Sequence, residues 1–302
     1  MSDELLVVVG PTASGKTELA VRLAEALGGE VVSADSVQVY TRFEIGTGKP
    51  SAAELARAPH HLIDVVEPNQ PLDAAQWAQL AEAKIREISA RGRRVIVCGG
   101  TFLWVRALLY GLAETPPADA QIRQAHQRRA EAEGRAALHA ELVRVDPDSA
   151  ARLNPNDLVR VSRALEVFEL SGAPLSRWHA EHAFARVRHP HRLLGVRQSA
   201  DALDARIARR LDRMLEAGWV AEVEALIAQG FGEARAMGSV GYKQIREAVS
   251  SGNTADLRER IYRATRVFAR RQRTWLRAQP VEWLEPERAF AGDLASALAE
   301  RE

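Results

Sequence analysis

The chain has 302 residues, 46% of them hydrophobic, which is enough to bury a large core in one or two domains. Its 41 basic and 40 acidic residues leave a net charge of +1, so any nucleic-acid binding must rest on local clusters rather than on bulk charge. The single cysteine excludes an internal disulfide, and the acidic N-terminus and the lack of a long apolar run predict a cytoplasmic protein with no signal peptide and no membrane association.

The first predicted element is a strand over Leu5–Val9, an apolar run typical of a central parallel strand. It leads into "GPTASGKT", which fits the phosphate-loop pattern G-x-x-x-x-G-K-[ST] between a strand and a helix. The glycines let backbone N–H groups face an anion, Lys16 adds positive charge, and Thr17 offers a hydroxyl ligand for Mg²⁺. The pattern is also the ATP-binding motif of many families, but it predicts only a polyphosphate site, which a diphosphate would fill too. The loop consists of Gly10, Pro11, Thr12, Ala13, Ser14, Gly15, Lys16 and Thr17.

Strands and helices alternate through the first part of the chain. After a helix that Gly28 and Gly29 terminate, we expect strands in "EVVSAD", "HHLIDVV" and "RRVIVCGG", with a helix over residues 72–90. This alternation predicts a doubly wound parallel sheet whose ligands bind at the carboxyl ends of the strands. Cys98 is expected to pack as a small core residue, and the adjacent His60 and His61 would point to opposite faces of a strand rather than share a metal.

The pattern changes after "AETPPADA", where paired prolines interrupt the chain. We expect only helices up to about residue 170, including one that Asn156 caps and Gly172 stops. The stretch Arg192–Val196 has strand character again, and the chain from Ala202 onward reads as helical. The predicted fold is therefore α/β: a P-loop-type parallel sheet flanked by helices (residues 1–115 and 192–302), with a helical insert domain (residues 116–191).

The segment "SADSVQVY" places Asp35 just beyond a predicted strand end, on the same sheet edge as the phosphate loop. A carboxylate there can accept a proton or hold Mg²⁺ through water, and Gln38 is a side chain suited to reading an adenine edge. The alternative is that Asp35 and Ser36 simply form a turn that leads into a loop. The local chemistry leaves both interpretations open.

Several stretches occur in an order that resembles a known family: "GPTASGKT", "SADSVQVY", "IGTGKPS", "HHLIDVVEP", "CGGT", "NDLVRVSRALEVFELSG", "GSVGYKQ" and "TRVFARRQRTWLR". Together they resemble the bacterial tRNA dimethylallyltransferases of the isopentenyl-tRNA transferase family, over nearly the whole chain. The phosphate loop is common to many families. The stretches "SADSVQVY", "NDLVRVSRALEVFELSG" and "TRVFARRQRTWLR" are far more selective.

The resemblance implies that dimethylallyl diphosphate donates its five-carbon group to the exocyclic amine of an adenosine in tRNA. That adenosine lies just 3′ of the anticodon in tRNAs that read codons beginning with U, and Mg²⁺ assists the loss of diphosphate. On this view the phosphate loop and Arg206 hold the leaving group, Thr17 ligates the metal, and Asp35 takes the amine proton. Thr101 matches a residue of the reaction channel, and the enzyme is expected to be a monomer.

The target base must leave its stack to react, and single-stranded loops are where proteins read RNA sequence. The resemblance assigns contacts with the anticodon stem-loop to several places along the chain. These predicted contacts are Asp35, Ser36, Val37, Gln38, Thr101, Arg123, Val159, Arg160, Val161, Ser162, Arg163, Val240, Gly241, Tyr242, Lys243, Gln244 and Ile245.

The chain departs from the family where Phe102 replaces a glycine and Trp104 a tyrosine, and this puts the shape of the channel wall in question. Near the C-terminus, Phe268 and Trp275 lie among several arginines. Such a segment can bind RNA, with the tryptophan stacking on a base, but we favour Trp275 as a core residue. Two other functions share parts of the whole pattern. A small-molecule P-loop kinase would consume ATP, and a non-catalytic RNA-binding nucleotide switch would bind tRNA according to nucleotide state.

Overall fold

The structure is a computed structural model, and it describes residues 4–290. A six-stranded sheet forms its centre, in the order β3-β2-β4-β1-β5-β6, and every pair of neighbouring strands is parallel. The strands are β1 (Leu5–Val9), β2 (Gly29–Ser33), β3 (His60–His61), β4 (Arg94–Gly99), β5 (His191–Val196) and β6 (Val281–Leu284). This is the predicted parallel α/β sheet of a P-loop-type fold.

Helices connect and cover these strands. In chain order they are α1 (Lys16–Leu27), α2 (Ala52–Arg57), α3 (Ala74–Ala90), α4 (Phe102–Tyr110), α5 (Ala120–Glu133), α6 (Arg135–Val145), α7 (Pro147–Arg152), α8 (Leu158–Ser171), α9 (Leu175–His182), α10 (Ala200–Glu216), α11 (Trp219–Ala228), α12 (Tyr242–Ser251), α13 (Leu257–Leu276) and α14 (Pro286–Ala289). Within residues 4–290, none of them has the length and apolar character needed to cross a bilayer.

The described chain forms two compact units, one made of residues up to 109 and from 188 onward, the other of residues 110–187. In the first, Leu6 and Val8 of β1 pack against Leu19 and Leu23 of α1. Because side chains alternate along a strand, Val7 points to the opposite face, where it is also fully buried. The central strand is therefore apolar on both faces, which is why "LLVVV" reads as a continuous hydrophobic run.

The second unit contains helices α5 to α9 and no strand among its described residues. Leu138 and Leu142 of α6 pack against Val161 and Leu165 of α8 to form its core. Asp157, not Asn156, caps α8, because its carboxylate accepts the backbone N–H of Arg160. The predicted cap is thus wrong by one residue, while Gly172 ends the helix in a left-handed conformation as predicted.

Two strand predictions need correction. Of "HHLIDVV", only His60 and His61 join the sheet, and Val66 forms an isolated bridge with Tyr40. The chain after Ala202 is not wholly helical, since β6 pairs with β5 at the edge of the sheet. This four-residue strand lies far along the chain from its partner, so its pairing depends on contacts that local sequence does not report.

Candidate active site

The phosphate loop lies at the carboxyl end of β1, between that strand and α1. Gly15 adopts a positive φ of 99° immediately before the helix, and Ala13 has a φ of 64°. A side chain on Gly10 would meet the Ser14 hydroxyl oxygen at 2.5 Å, so glycine is needed for the loop to close. The amides of the first turn of α1 have no acceptor within the helix and present partial positive charge to an anion.

Two side chains from distant parts of the chain fix this loop from outside. Arg206 of α10 donates through Nε to the Ala13 carbonyl oxygen at 2.6 Å. Gln198 donates through Nε2 to the Ser14 carbonyl oxygen at 3.2 Å. The predicted diphosphate residue Arg206 therefore touches the loop directly, and within residues 4–290 its other guanidinium nitrogens donate no hydrogen bond.

Lys16 and Arg210 bring two cations into the same cavity. Burial lowers the pKa of both side chains, which Asp35 only partly offsets. Among residues 4–290, neither cation has a carboxylate within ion-pair distance. Two half-buried cations without a counter-ion are costly unless an anion occupies the space between them. Arg210 shares a helix face with the apolar Ile207 and Met214, so helical spacing singles it out, but the sequence does not show that this face lines the phosphate-loop cavity.

Asp35 and Thr101 follow two neighbouring strands, β2 and β4, and line the same cavity. The Asp35 Oδ1 atom accepts the backbone N–H groups of Val37 at 2.9 Å and Gln38 at 3.3 Å. The Thr101 Oγ1 atom accepts the N–H of Ser36 at 3.0 Å. The turn anticipated at Asp35 is therefore present, and the same turn holds the carboxylate against the cavity that contains Lys16.

Gln38 is engaged inside the protein. Its Nε2 donates to the Gly48 carbonyl oxygen at 2.9 Å, and its Oε1 accepts from the Ser33 hydroxyl at 3.1 Å. Both ends of the amide are used, so the expectation that Gln38 reads an adenine edge with two hydrogen bonds does not fit this conformation. Gln38 instead fixes the loop that contains Gly48 to the end of β2.

The segment 240–245, to which the resemblance assigned tRNA contacts, contains both buried and accessible side chains. Tyr242 and Ile245 are fully buried, and the Tyr242 hydroxyl donates to Glu222 at 2.5 Å while accepting the Gly46 N–H at 3.1 Å. Burial and the Glu222 carboxylate raise the pKa of Tyr242. Lys243 is exposed, and Val240 lines the cavity. Within this segment Tyr242 and Ile245 support the backbone rather than offer side chains to RNA.

These residues enclose a cavity of about 390 Å³ at the carboxyl ends of the strands. Its polar lining includes Thr12, Lys16, Thr17, Asp35, Ser36, Gln38, Thr47, Thr101, Arg210, Ser239, Thr265 and Gln272. Its apolar lining includes Ile207, Leu211, Met214, Trp219, Val240, Ile261 and Phe268. Most of the apolar lining was not predicted. It comes from one face of α10 and one face of α13, and local sequence does not show which cavity these faces will line.

A second, more open cavity of about 810 Å³ adjoins the first, since Lys16, Thr17, Arg210 and Met214 line both. Arg206, Arg209 and Arg213 project into it from α10. Burial lowers the pKa of Arg206, and the neighbouring guanidiniums of Arg209 and Arg213 add to this. The phosphate loop thus has an arginine-rich approach on its outer side.

In the helical unit, Glu166 organises two of the predicted tRNA-binding arginines. This carboxylate is fully buried and accepts Arg123 Nε at 2.9 Å as well as Arg163. Burial would raise its pKa, but the two guanidiniums outweigh that effect and hold the pKa of Glu166 below its usual range. Val161 and Ser162 are buried, while Val159 and Arg160 are exposed, so only part of the predicted 159–163 segment faces solvent.

The two departures at the channel wall form aromatic pairs. Phe102 stacks on Trp275 with ring centroids 4.1 Å apart, and Trp104 stacks on Trp77 at 5.1 Å. Phe102 begins α4 with no positive φ, so its backbone carries no strain from the missing glycine. Trp275 stacks on Phe102 but is only half-buried, so it lies less deep than the core position favoured from the sequence. Cys98 is buried in the core as predicted.

Comparison with known protein families matches residues 38–279 to the family described as IPP transferase. The tRNA dimethylallyltransferase of Sorangium cellulosum is 62% identical over 282 residues, which are 93% of this chain and 90% of that protein. The tRNA dimethylallyltransferase of Geobacter sulfurreducens is 47% identical over 93% of this chain and 92% of its own length.

Two solved structures share the fold. The tRNA isopentenylpyrophosphate transferase of Staphylococcus epidermidis superposes with a TM-score of 0.70 at 33% identity, covering 99% of this chain and 100% of that one. A eukaryotic dimethylallyltransferase captured acting on tRNA gives a TM-score of 0.83 at 25% identity, over 99% of this chain and 79% of that one.

Proposed function

This chain belongs to the IPP transferase family, and we propose that it transfers the dimethylallyl group of dimethylallyl diphosphate to an adenosine of tRNA. The acceptor is the exocyclic amine of the adenosine 3′-adjacent to the anticodon, in tRNAs that read codons beginning with U, and diphosphate is released. The enzyme acts in the cytoplasm as a monomer. The observation that carries the proposal is the convergence of Lys16, Arg210 and Asp35, two cations and a carboxylate, on one cavity.

The reaction needs a stabilised leaving group, because an adenine amine is a poor nucleophile whereas an allylic diphosphate ionises readily. As the bond between C1 of the donor and the bridging oxygen breaks, negative charge grows on the diphosphate. Lys16, Arg206, Arg210 and the amides of residues 10–17 are proposed to receive that charge. Preorganised cations in a half-buried site contribute more than they would in water, since the dielectric around them is lower.

Asp35 is proposed as the general base. When the amine nitrogen bonds to C1 of the donor, its proton must leave, and the Asp35 carboxylate accepts it. The hydrogen bonds that Oδ1 accepts from Val37 and Gln38 fix the orientation of the side chain, while the other carboxylate oxygen remains for the substrate. Thr101, held against Ser36, is proposed to position the adenine beside this carboxylate.

The donor set fits Mg²⁺ held mainly by the substrate. Among residues 4–290 there is no cluster of three metal-binding side chains, but the Thr17 hydroxyl and the Asp35 carboxylate line the same cavity. Mg²⁺ is commonly bound by one or two protein oxygens together with substrate phosphates and water. When bound, the ion would neutralise charge on the diphosphate, and Thr17 is the residue proposed to ligate it.

The tRNA contacts are proposed to come from exposed or cavity-lining groups of the predicted set. In the sheet-containing unit these are Ser36, Thr101, Val240 and Lys243, and in the helical unit they are Val159 and Arg160, with Arg123 and Arg163 held in place by Glu166. The arginines at the second cavity give the anionic donor a separate approach to the phosphate loop.

The direct test uses purified enzyme, unmodified tRNA, Mg²⁺ and dimethylallyl diphosphate labelled in the allyl group, with and without ATP. Label on tRNA and stoichiometric diphosphate release without ATP are the expected results. ATP-dependent phosphorylation of a small molecule with no labelled tRNA would favour the kinase alternative. Nucleotide-dependent tRNA binding with no transfer would favour the switch.

A further inference from the structure

The first cavity has a charged end and an apolar end, and the packing of α10 against α13 defines both. Arg266 pairs with Asp204 at 2.7 Å, and Arg258 pairs with Asp212 at 2.7 Å. A later residue of α10 thus pairs with an earlier residue of α13, so the two helices run antiparallel. The start of α10 therefore lies beside the end of α13, and the later part of α10 lies beside the start of α13.

The charged end lies at the phosphate loop. There Arg206 near the start of α10 reaches the Ala13 carbonyl oxygen, and Gln272 near the end of α13 accepts the Thr12 N–H. One to two helical turns further along α10, the lining side chains are Leu211 and Met214. Ile261, in the first half of α13, lines the same cavity and is almost fully buried.

Trp219 forms a fixed wall at this apolar end. A Cβ on Gly46 would lie 2.2 Å from its indole ring, and one on Gly241 would lie 1.9 Å from it. The ring of Tyr242 packs edge-on against it, with centroids 5.3 Å apart. Two glycines and a buried tyrosine leave the indole no room to move toward them.

Met214 lines the same cavity as Trp219 and the phosphate-loop residue Lys16. It follows Arg210 by four residues, which is roughly 6 Å along a helix axis and close to the reach of a five-carbon chain. Met214 and Arg210 both line both cavities, so the two side chains share the space next to the phosphate loop. Its unbranched side chain fills space that a smaller residue would leave open.

We propose that Met214, supported by the fixed Trp219, closes the hydrocarbon end of the donor site and limits the donor to five carbons. The inference rests on the proposed function. A ten-carbon allylic diphosphate reacts by the same step: the C1–O bond breaks, C1 bonds to the adenine nitrogen, and the amine proton goes to Asp35. The longer chain has the same reactive end, so room beyond that end decides between the two donors.

The experiment compares wild type, Met214→Ala and Met214→Val, each supplied with dimethylallyl or geranyl diphosphate and unmodified tRNA. Mass analysis of the digested nucleosides measures the prenyl group transferred. We expect the ratio of kcat/KM for geranyl over dimethylallyl diphosphate to rise on the order of 10–100-fold in Met214→Ala, with a smaller rise in Met214→Val. Leu226→Ala is the matched control, since Leu226 is buried on α11 but lines neither cavity.

The outcomes separate the inference from the proposed function. Failure of the wild type to transfer the dimethylallyl group would reject the proposed function itself. Wild-type transfer, together with variants that use dimethylallyl diphosphate but show no gain with geranyl diphosphate, would overturn the role of Met214. If Met214→Ala melts at a much lower temperature than Leu226→Ala, Met214→Val supplies the decisive ratio.

Discussion

Gln272 accepts the backbone N–H of Thr12 at 2.8 Å, which fastens α13 to the phosphate loop. The other end of the same amide donates to the Gly100 carbonyl oxygen at 3.0 Å, one residue before Thr101. A single buried side chain thus connects the loop proposed to hold the diphosphate to the loop proposed to position the adenine. A side chain on Gly100 would meet the Gln272 Nε2 atom at 2.6 Å, so this link also requires the glycine.

Replacing Gln272 by leucine should therefore disturb both loops. It leaves the Thr12 N–H and the Gly100 carbonyl without these partners, and we expect a loss of about 1–3 kcal/mol in stability. The melting temperature should fall, and the KM for dimethylallyl diphosphate should rise in the same variant. Thr274→Ala, an exposed change on the same helix, is the control. Unchanged melting and KM in Gln272→Leu would show that the link is dispensable.

The effects of substitutions at Gly48 and Arg210 on donor binding should be coupled. Gly48 has a φ of +60°, and a Cβ there would lie 1.8 Å from the Arg210 Nη2 atom, so Gly48→Ala must displace the guanidinium. We expect Gly48→Ala and Arg210→Ala each to raise the KM for the donor by roughly 10–100-fold, the loss of a charged hydrogen bond. The double variant should be little worse than either single one.

Gly92→Ala is the control for this cycle, because Gly92 has a similar φ of +70° but a Cβ at that position would meet no other atom within 4 Å. It carries the same backbone strain without a cation nearby. Fully additive effects of Gly48→Ala and Arg210→Ala would mean that Gly48 acts independently of the guanidinium.

The pH dependence of donor binding should report Lys16. Burial lowers the pKa of this ammonium from its usual 10.5, and a bound diphosphate favours its charged form. Donor affinity is therefore full below the pKa of Lys16 in the free enzyme and falls as pH rises through it. We expect kcat/KM for the donor, at saturating tRNA, to decline on the alkaline side before pH 10.5.

Lys16→Arg should remove that alkaline decline even if its activity is lower overall, because a guanidinium stays charged throughout the range. The profiles of the two proteins are compared between about pH 7 and about pH 10. An identical decline in both proteins would assign it to another group.

Much of the phosphate site follows from sequence because its signals are local. The run from Leu5 to Val9 must be buried on both faces, and the spacing of Gly10, Gly15 and Lys16 fixes a loop before a helix. The position of Asp35 at a strand end is predictable too, because parallel strands present their carboxyl ends at one sheet edge.

The rest depends on long-range packing. Helical spacing places Arg210 and Met214 on the same face of α10 as Ile207, which is apolar. Only the packing of α10 against α13 shows that this face lines the cavity. In the sequence Gln38 is a free amide suited to a base, but in the fold it is used by Ser33 and by Gly48, which lies in a loop ten residues away. The edge strand β6 likewise depends on its pairing with β5, which is distant in the sequence.

The measurement closest to the central claim is nucleoside analysis of tRNA after incubation with dimethylallyl diphosphate and Mg²⁺, using wild type and Asp35→Ala. Wild type should convert the adenosine 3′ of the anticodon to its N6-dimethylallyl form. Asp35→Ala should be slower by roughly 10²–10⁴-fold, the usual contribution of a general base, while still binding tRNA. No prenylated adenosine with wild type, or a loss smaller than about tenfold in Asp35→Ala, would contradict the account.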